Sequence, residues 1–237
     1  FIIYTSMTAD KRKYGFRRAF TLRPHLLKGM LSISGWTMVQ SFISVSIWFI
    51  FFLAIEHLGE RPLAVTNIVR NISALLIMVI SAFATTAGAL ISNQIGAGEQ
   101  RCLFKTCGMT LKLTYAILIP LLIILCLFPE PVLRAFTDSP SLIAASVNSV
   151  YVMASSTLIM APSFILFNAV SGTGNTRAGF IMEMISLAVY TAVIYYGIIR
   201  LKPDVALCWF SEHVYGVTLI FLAWWYLKSG KWRGKKV

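Results

Sequence analysis

Six long apolar runs, set apart by short polar segments, organise this chain. Residues 10–28 are polar and carry Lys11, Arg12, Lys13, Arg17, Arg18, Arg23 and Lys28; from Gly29 to Ile55 no charged residue occurs. A helix that crosses a bilayer needs about 20 consecutive apolar residues, so 29–55 reads as a first membrane helix. A polar turn at 56–62 leads to a second run over 64–94, interrupted only by Arg70. The remaining runs are 107–128, 142–170, 178–199 and 205–227. Pro120 falls inside the third, where neighbouring helices can serve the carbonyl that it frees.

Two of the connecting turns echo each other: Ile95-Gly96-Ala97-Gly98 and Ser171-Gly172-Thr173-Gly174. No strand precedes either and no Gly-Lys-Ser/Thr follows, so neither is a phosphate loop. Both read as tight turns between antiparallel helices.

Six crossings put 10–28, 96–112, Arg177 and the segment from Lys228 on one side, and these hold 16 of the 21 Lys and Arg. Positive charge collects in the cytoplasm, so both ends are expected there. Trp224-Trp225-Tyr226 stands where an interfacial aromatic belt belongs. The expected organisation is an apolar stub at 1–4 ending an earlier helix, a cytoplasmic linker to residue 28, a six-helix lobe over 29–228 and a basic tail at 229–237.

Composition agrees with the pattern. The chain of 237 residues is 57% hydrophobic and 13% charged, whereas a soluble domain carries about a quarter charged residues. The net charge of +12 follows from basic loops, so topology accounts for it and nucleic acid is not implied. Cys102, Cys107, Cys126 and Cys208 lack the spacing of a zinc set and read as small packing residues. The aromatics and nine Met are fit to line a pocket for flat cations, although lipid-facing Phe is ordinary in any membrane protein.

Ionisable groups inside the membrane are costly and need a reason. Arg70, Asn67 and Asn71 share one helix face by their spacing, and the first run offers Gln40, Ser41, Ser44 and Ser46. Such a face either lines an aqueous cavity or stitches helices together. Glu56, Glu60 and Glu212 are the candidate partners of Arg70. Glu183 lies near the basic side, where pairing with Arg177 or another basic loop residue is the plainer reading and a proton relay the alternative. Glu212 and His213 lie about two turns in from the other side, fit either for proton exchange or for a structural hydrogen bond to a neighbouring helix. Ser34 and His213 fall at opposite depths, too far apart for a nucleophile and its base, so no enzyme is expected.

Three stretches carry a resemblance to a family. Glu56-His57-Leu58-Gly59 through Pro62-Leu63-Ala64-Val65-Thr66-Asn67-Ile68 is similar to the outer loop and start of the eighth helix of MATE (multidrug and toxic compound extrusion) transporters. Ala89-Leu90-Ile91-Ser92-Asn93-Gln94-Ile95-Gly96-Ala97-Gly98 resembles the end of that helix, and Ser171-Gly172-Thr173-Gly174-Asn175-Thr176-Arg177 resembles the turn after the tenth. The resemblance implies an all-α membrane protein, a six-transmembrane-helix bundle forming the C-terminal lobe of a twelve-helix transporter. It implies secondary antiport of amphipathic, often cationic, small molecules across the cell (plasma or inner) membrane, multidrug efflux among them, driven by H+ or Na+ with no other cofactor. The expected partners are the small-molecule substrate, the bilayer and the N-terminal six-helix lobe. A lipid-linked oligosaccharide flippase and a non-transporting membrane subunit are the alternatives.

Departures from the family pattern are specific. Ser44 stands where many members carry an acidic residue, the run Met160 to Asn168 lacks the Asp that some carry, and Ser171 and Asn175 replace an Arg and an Asp. The candidate substrate cavity is therefore Gln40, Ser44, Asn67, Arg70, Asn71, Met160 and Asn168. Arg70, Glu212 and His213 are the candidates for ion coupling.

Overall fold

The computed structural model describes residues 24–230 and Trp232, leaving out the side chains of 25, 26, 28–30, 32 and 33. The expected stub at 1–4, the basic segment up to residue 23, and tail residues 231 and 233–237 lie outside the described residues. Among the described residues, six helices are long and apolar enough to cross a membrane. They are α1 (Pro24–Glu56), α2 (Glu60–Gly96), α3 (Leu103–Leu127), α5 (Pro140–Gly172), α6 (Thr176–Val193, continued by a wider turn over Ile194–Arg200) and α8 (Ser211–Ser229). The last is preceded by a single turn, α7 (Val205–Cys208), in the same crossing; a short surface helix, α4 (Pro129–Arg134), links α3 to α5.

Most of the helices overrun the apolar stretches. α2 begins at Glu60, with Arg61 and Pro62 in its first turn. Backbone hydrogen bonding does not stop where hydrocarbon does. An acidic residue suits a helix N-terminus, and the first turn has no N–H bond for proline to remove. Glycine ends both of the turns that the sequence marks, Gly98 at φ +83° and Gly174 at φ +78°. Asn175 then caps α6, its side-chain oxygen accepting from Ala178 N at 3.2 Å, and its amide nitrogen reaches the hydroxyl of Tyr226 on α8.

α5 is the central helix. It packs most extensively on α2, and then on α8 and α3, while α1 leans mainly on α6 and touches α2 only slightly. Lipid gives helices no hydrophobic reason to associate, so close approach depends on small residues. The α2–α5 seam shows this. A Cβ added to Gly172 would stand 2.5 Å from the carbonyl oxygen of Gly88, and one added to Gly88 would stand 2.9 Å from that of Asn168. Gly172 therefore serves close packing, a role beyond the turn in which the sequence places it. Away from the glycines, Ile72, Leu76 and Ile80 of α2 share an apolar core with Val150 and Met153 of α5.

Pro162 sits inside α5 and cannot donate to the carbonyl of Leu158, four residues back. The hydroxyl of Tyr115 on α3 donates to that oxygen at 2.8 Å. A neighbouring helix thus serves the carbonyl that the proline frees.

Candidate functional site

Because α1 stands off from α2, a groove of about 560 Å³ opens between them. Ser44, Val45, Trp48, Phe49 and Phe52 of α1 form one wall, and Arg70, Ser73, Ala74, Ile77, Met78 and Ser81 of α2 form the other. Arg70 is exposed, its guanidinium 5.1 Å from the centre of the Phe52 ring.

Behind this groove lies a smaller chamber of about 80 Å³, and Ser44, Trp48 and Ile77 border both. Ile47 of α1, Met160 and Phe164 of α5, Leu187 and Tyr190 of α6, and Glu212 and Tyr215 of α8 complete its lining. A water occupies roughly 30 Å³ in the liquid. The chamber has room for a few waters and none for an organic substrate.

Glu212 lines this chamber, and a second buried carboxyl, Glu183, bonds to two of its lining residues. Tyr215 donates its hydroxyl to Glu183, at 3.0 Å from Oε1 and 3.1 Å from Oε2, and Ser44 Oγ donates to Oε1 at 3.4 Å. Tyr190 donates to Glu212 Oε1 at 2.6 Å. The Tyr190 and Tyr215 rings touch edge to face, 5.8 Å between centres. The four side chains form a continuous ladder: α6 supplies a Glu and, seven residues on, a Tyr, and antiparallel α8 supplies the complementary pair three residues apart. Among the described residues neither carboxyl has an ion-pair partner; phenols and one serine serve them.

Both helices are irregular beside the ladder. α6 widens just past Tyr190, a form frequent at functional sites. The last crossing breaks between α7 and α8, with Glu212 in the first turn after the break and its N–H bonded to Trp209 O at 3.2 Å.

The structure sorts the residues expected from the sequence. Ser44 and Arg70 line the groove, and Ser44, Met160 and Glu212 line the chamber. Gln40 does not reach the groove, whose α1 wall ends one turn away at Ser44. Asn67 gives its amide to Leu63 O at 3.1 Å on its own helix, and Asn168 gives its amide to Phe164 O at 2.9 Å. Asn71 is exposed outside the groove, because the residue after Arg70 is turned about 100° around the helix. His213 turns from the chamber to α5, its Nε2 lying 3.0 Å from Ser155 Oγ and its ring stacked on Phe210.

Two pairings expected from the sequence are corrected. Glu183 does not meet Arg177, which is exposed. Six residues set the two about 240° apart around the helix, on different faces. Arg70 meets none of Glu56, Glu60 and Glu212: the first two are exposed, and Glu212 is buried against Tyr190.

Glu183 builds the site although its expected role was pairing with a basic residue, and Tyr190 and Tyr215 are site residues that the sequence reading does not single out. A signal for them exists in the sequence, since Glu183 with Tyr190 and Glu212 with Tyr215 each recur on one helix face.

Comparison with known proteins adds the context. The family model MatE matches residues 37–196. Among solved structures, the Vibrio cholerae MATE transporter VcmN in its bent form superposes with a TM-score of 0.78 at 16% identity, over 88% of this chain and 48% of that one. A multidrug resistance MATE family transporter in an outward-facing conformation gives 0.76 at 14% identity, over 86% and 46%. A MOP superfamily transporter from Pyrococcus furiosus gives 0.74 at 14% identity, over 84% and 44%. At these identities the likeness concerns the fold. The chain spans slightly less than half the length of each of these structures. Comparison with curated protein sequences finds no match.

Proposed function

The chain belongs to the MatE family of membrane transporters, and on that premise we propose that it forms the C-terminal lobe of a secondary antiporter exporting amphipathic small molecules, with proton exchange coupled in this lobe. The groove between α1 and α2 is a substrate wall, completed by an N-terminal lobe facing it. Alternating access follows when one lobe rocks on the other. Positive charge on the side of Pro24 and Ser229 supports a cytoplasmic location for both ends.

The observation that carries this reading is the chamber. It joins the groove at Ser44, Trp48 and Ile77; Glu212 lines it and Glu183 bonds to Ser44 and Tyr215 of its lining, both carboxyls with no cation beside them among the described residues. Such groups mark proton relays in transporters. A proton is the coupling ion of this reading: each carboxyl can gain or lose one while it keeps the hydrogen bond from the phenol beside it. Glu212 thus keeps the coupling role expected of it. Glu183 joins it, and Arg70 and His213 leave that role.

Non-coupling roles are less well supported. A purely structural subunit predicts that polar groups of α1 and α2 pair with one another, yet Ser44 bonds to Glu183 on α6 and Arg70 lies over Phe52. A flippase for lipid-linked sugars calls for several cations along the groove, and Arg70 is the one charged residue lining it among the described residues.

The test uses the complete transporter in proteoliposomes, loaded with a fluorescent amphipathic dye. An imposed pH gradient is expected to drive dye movement with sodium absent from both sides. Movement that requires a sodium gradient and ignores pH removes proton coupling. Movement indifferent to both removes the antiporter.

A further inference from the structure

We propose that the α1–α2 groove takes amphipathic anions, the acid group being held by Arg70. This inference rests on the groove being a substrate wall, and it departs from the cationic compounds that the family resemblance implies.

Three features of the groove argue for it. The first is charge. Among the described residues Arg70 is the one charged residue in the lining, and its contact is with the Phe52 ring, 5.1 Å to the centroid. A ring face attracts a cation without neutralising it. The nearby carboxyls are committed elsewhere or stand clear: Glu212 to Tyr190, Glu183 to Tyr215 and Ser44, with Glu56 and Glu60 exposed at the helix ends. An arginine at membrane depth needs a partner. Its planar fork of N–H donors fits a carboxylate, sulfonate or phosphate through two parallel bonds.

The second feature is the body of the groove. Trp48, Phe49 and Phe52 face Ile77 and Met78, so a flat apolar skeleton finds rings on one side and flexible aliphatic groups on the other. The volume of about 560 Å³ lies within the range of sites for drug-sized ligands.

The third is polarity along the length. Arg70 and Ser81 are eleven residues apart on α2, about 16 Å, and both belong to the lining. The charge sits toward one end, and the stretch between is apolar except for Ser73. An elongated molecule with one acidic end matches that order. A cation in the same place faces like charge across a low-dielectric wall, where repulsion is poorly screened.

Equilibrium binding to the complete transporter in nanodiscs tests the proposal. Three pyrene probes differ only in their head: pyrenebutyrate, its methyl ester and pyrenebutylamine. The acid is expected to bind about tenfold more tightly than the ester, with the amine weakest. Arg70→Gln is expected to bring acid and ester to parity while the ester's affinity holds, which shows that the groove is still folded. Arg70→Lys should restore part of the preference. Equal binding of acid and ester by the wild type, tighter binding of the amine, or absence of saturable acid binding overturns the proposal. An acid preference that survives Arg70→Gln overturns it as well and assigns Arg70 to the facing lobe or to lipid. No gradient is present in this experiment, so a failure of the transport reading leaves these ratios unchanged and is seen only in the dye-flux assay.

Discussion

α2 has two working faces, and they are built in opposite ways. Toward α5 it carries Gly88, which meets Gly172 with no room for a side chain between the helices. Toward α1 it carries Arg70, Ile77 and Met78, opposite Val45, Trp48, Phe49 and Phe52, and the two helices stand apart around a groove. Both faces lie in the same apolar solvent, so hydrophobicity does not distinguish them. The glycine contact does. Where both helices offer glycine their backbones touch and dispersion holds them. Toward α1 no glycine of the lining brings the backbones together, and a space remains for a third party. The contrast assigns a rigid seam to one face of a helix and a ligand surface to the other.

The sharpest way to break this contrast is to fill the seam. Gly172→Val forces the carbonyl of Gly88 aside and is expected to cost about 3 kcal/mol, at the upper end of core overpacking, whereas Ala74→Val in the groove leaves stability within about 0.5 kcal/mol. Thermal unfolding of the purified variants in detergent measures both. Similar losses in the two would show that the groove is packed as tightly as the seam.

A second prediction concerns motion. Spin labels at Val45 and Met78, on the groove's two walls, are expected to give a broad distance distribution that changes with substrate. Labels at Ala89, exposed, and Ser171, half-buried, beside the seam, are expected to give a narrow one that does not change. Equal widths in pulsed-EPR measurements contradict the division into rigid and open faces.

The smallest expected effect lies at the proline. Tyr115→Phe removes the donor that serves the carbonyl of Leu158 and is expected to cost about 1 kcal/mol without altering transport. A second substitution, Pro162→Ala, restores the internal N–H and should offset that loss; an undiminished loss in the double variant separates Tyr115 from the proline.

The six crossings were legible because each apolar run meets the length that a bilayer imposes, and basic residues collect on one side. The helix ends were less so. Residues such as Glu60 and Arg61 continue a helix by backbone hydrogen bonding that composition does not report. Of the site, Ser44, Arg70, Met160 and Glu212 were readable as polar or soft groups in apolar runs. The carboxyl–tyrosine ladder was not, since it pairs positions 32 and 22 residues apart, Glu183 with Tyr215 and Tyr190 with Glu212. Depth counted along α6 placed Glu183 near the basic surface, whereas helix rotation turns it inward, away from Arg177. Asn67 and Asn168 line neither the groove nor the chamber, and they share a feature that composition does not report. An amide on a helix can bond the carbonyl one turn back, and both do.

The central claim is that the buried carboxyls exchange the coupling proton, and the most direct measurement is substrate-driven proton movement into proteoliposomes, followed with an internal pH dye. Glu212→Gln and Glu183→Gln keep the size and hydrogen-bonding capacity of the side chains but cannot ionise. Each is expected to reduce substrate-driven proton movement about tenfold or more while equilibrium substrate binding is retained. Wild-type proton movement in both variants, with substrate transport intact, would contradict the account and place coupling outside this lobe.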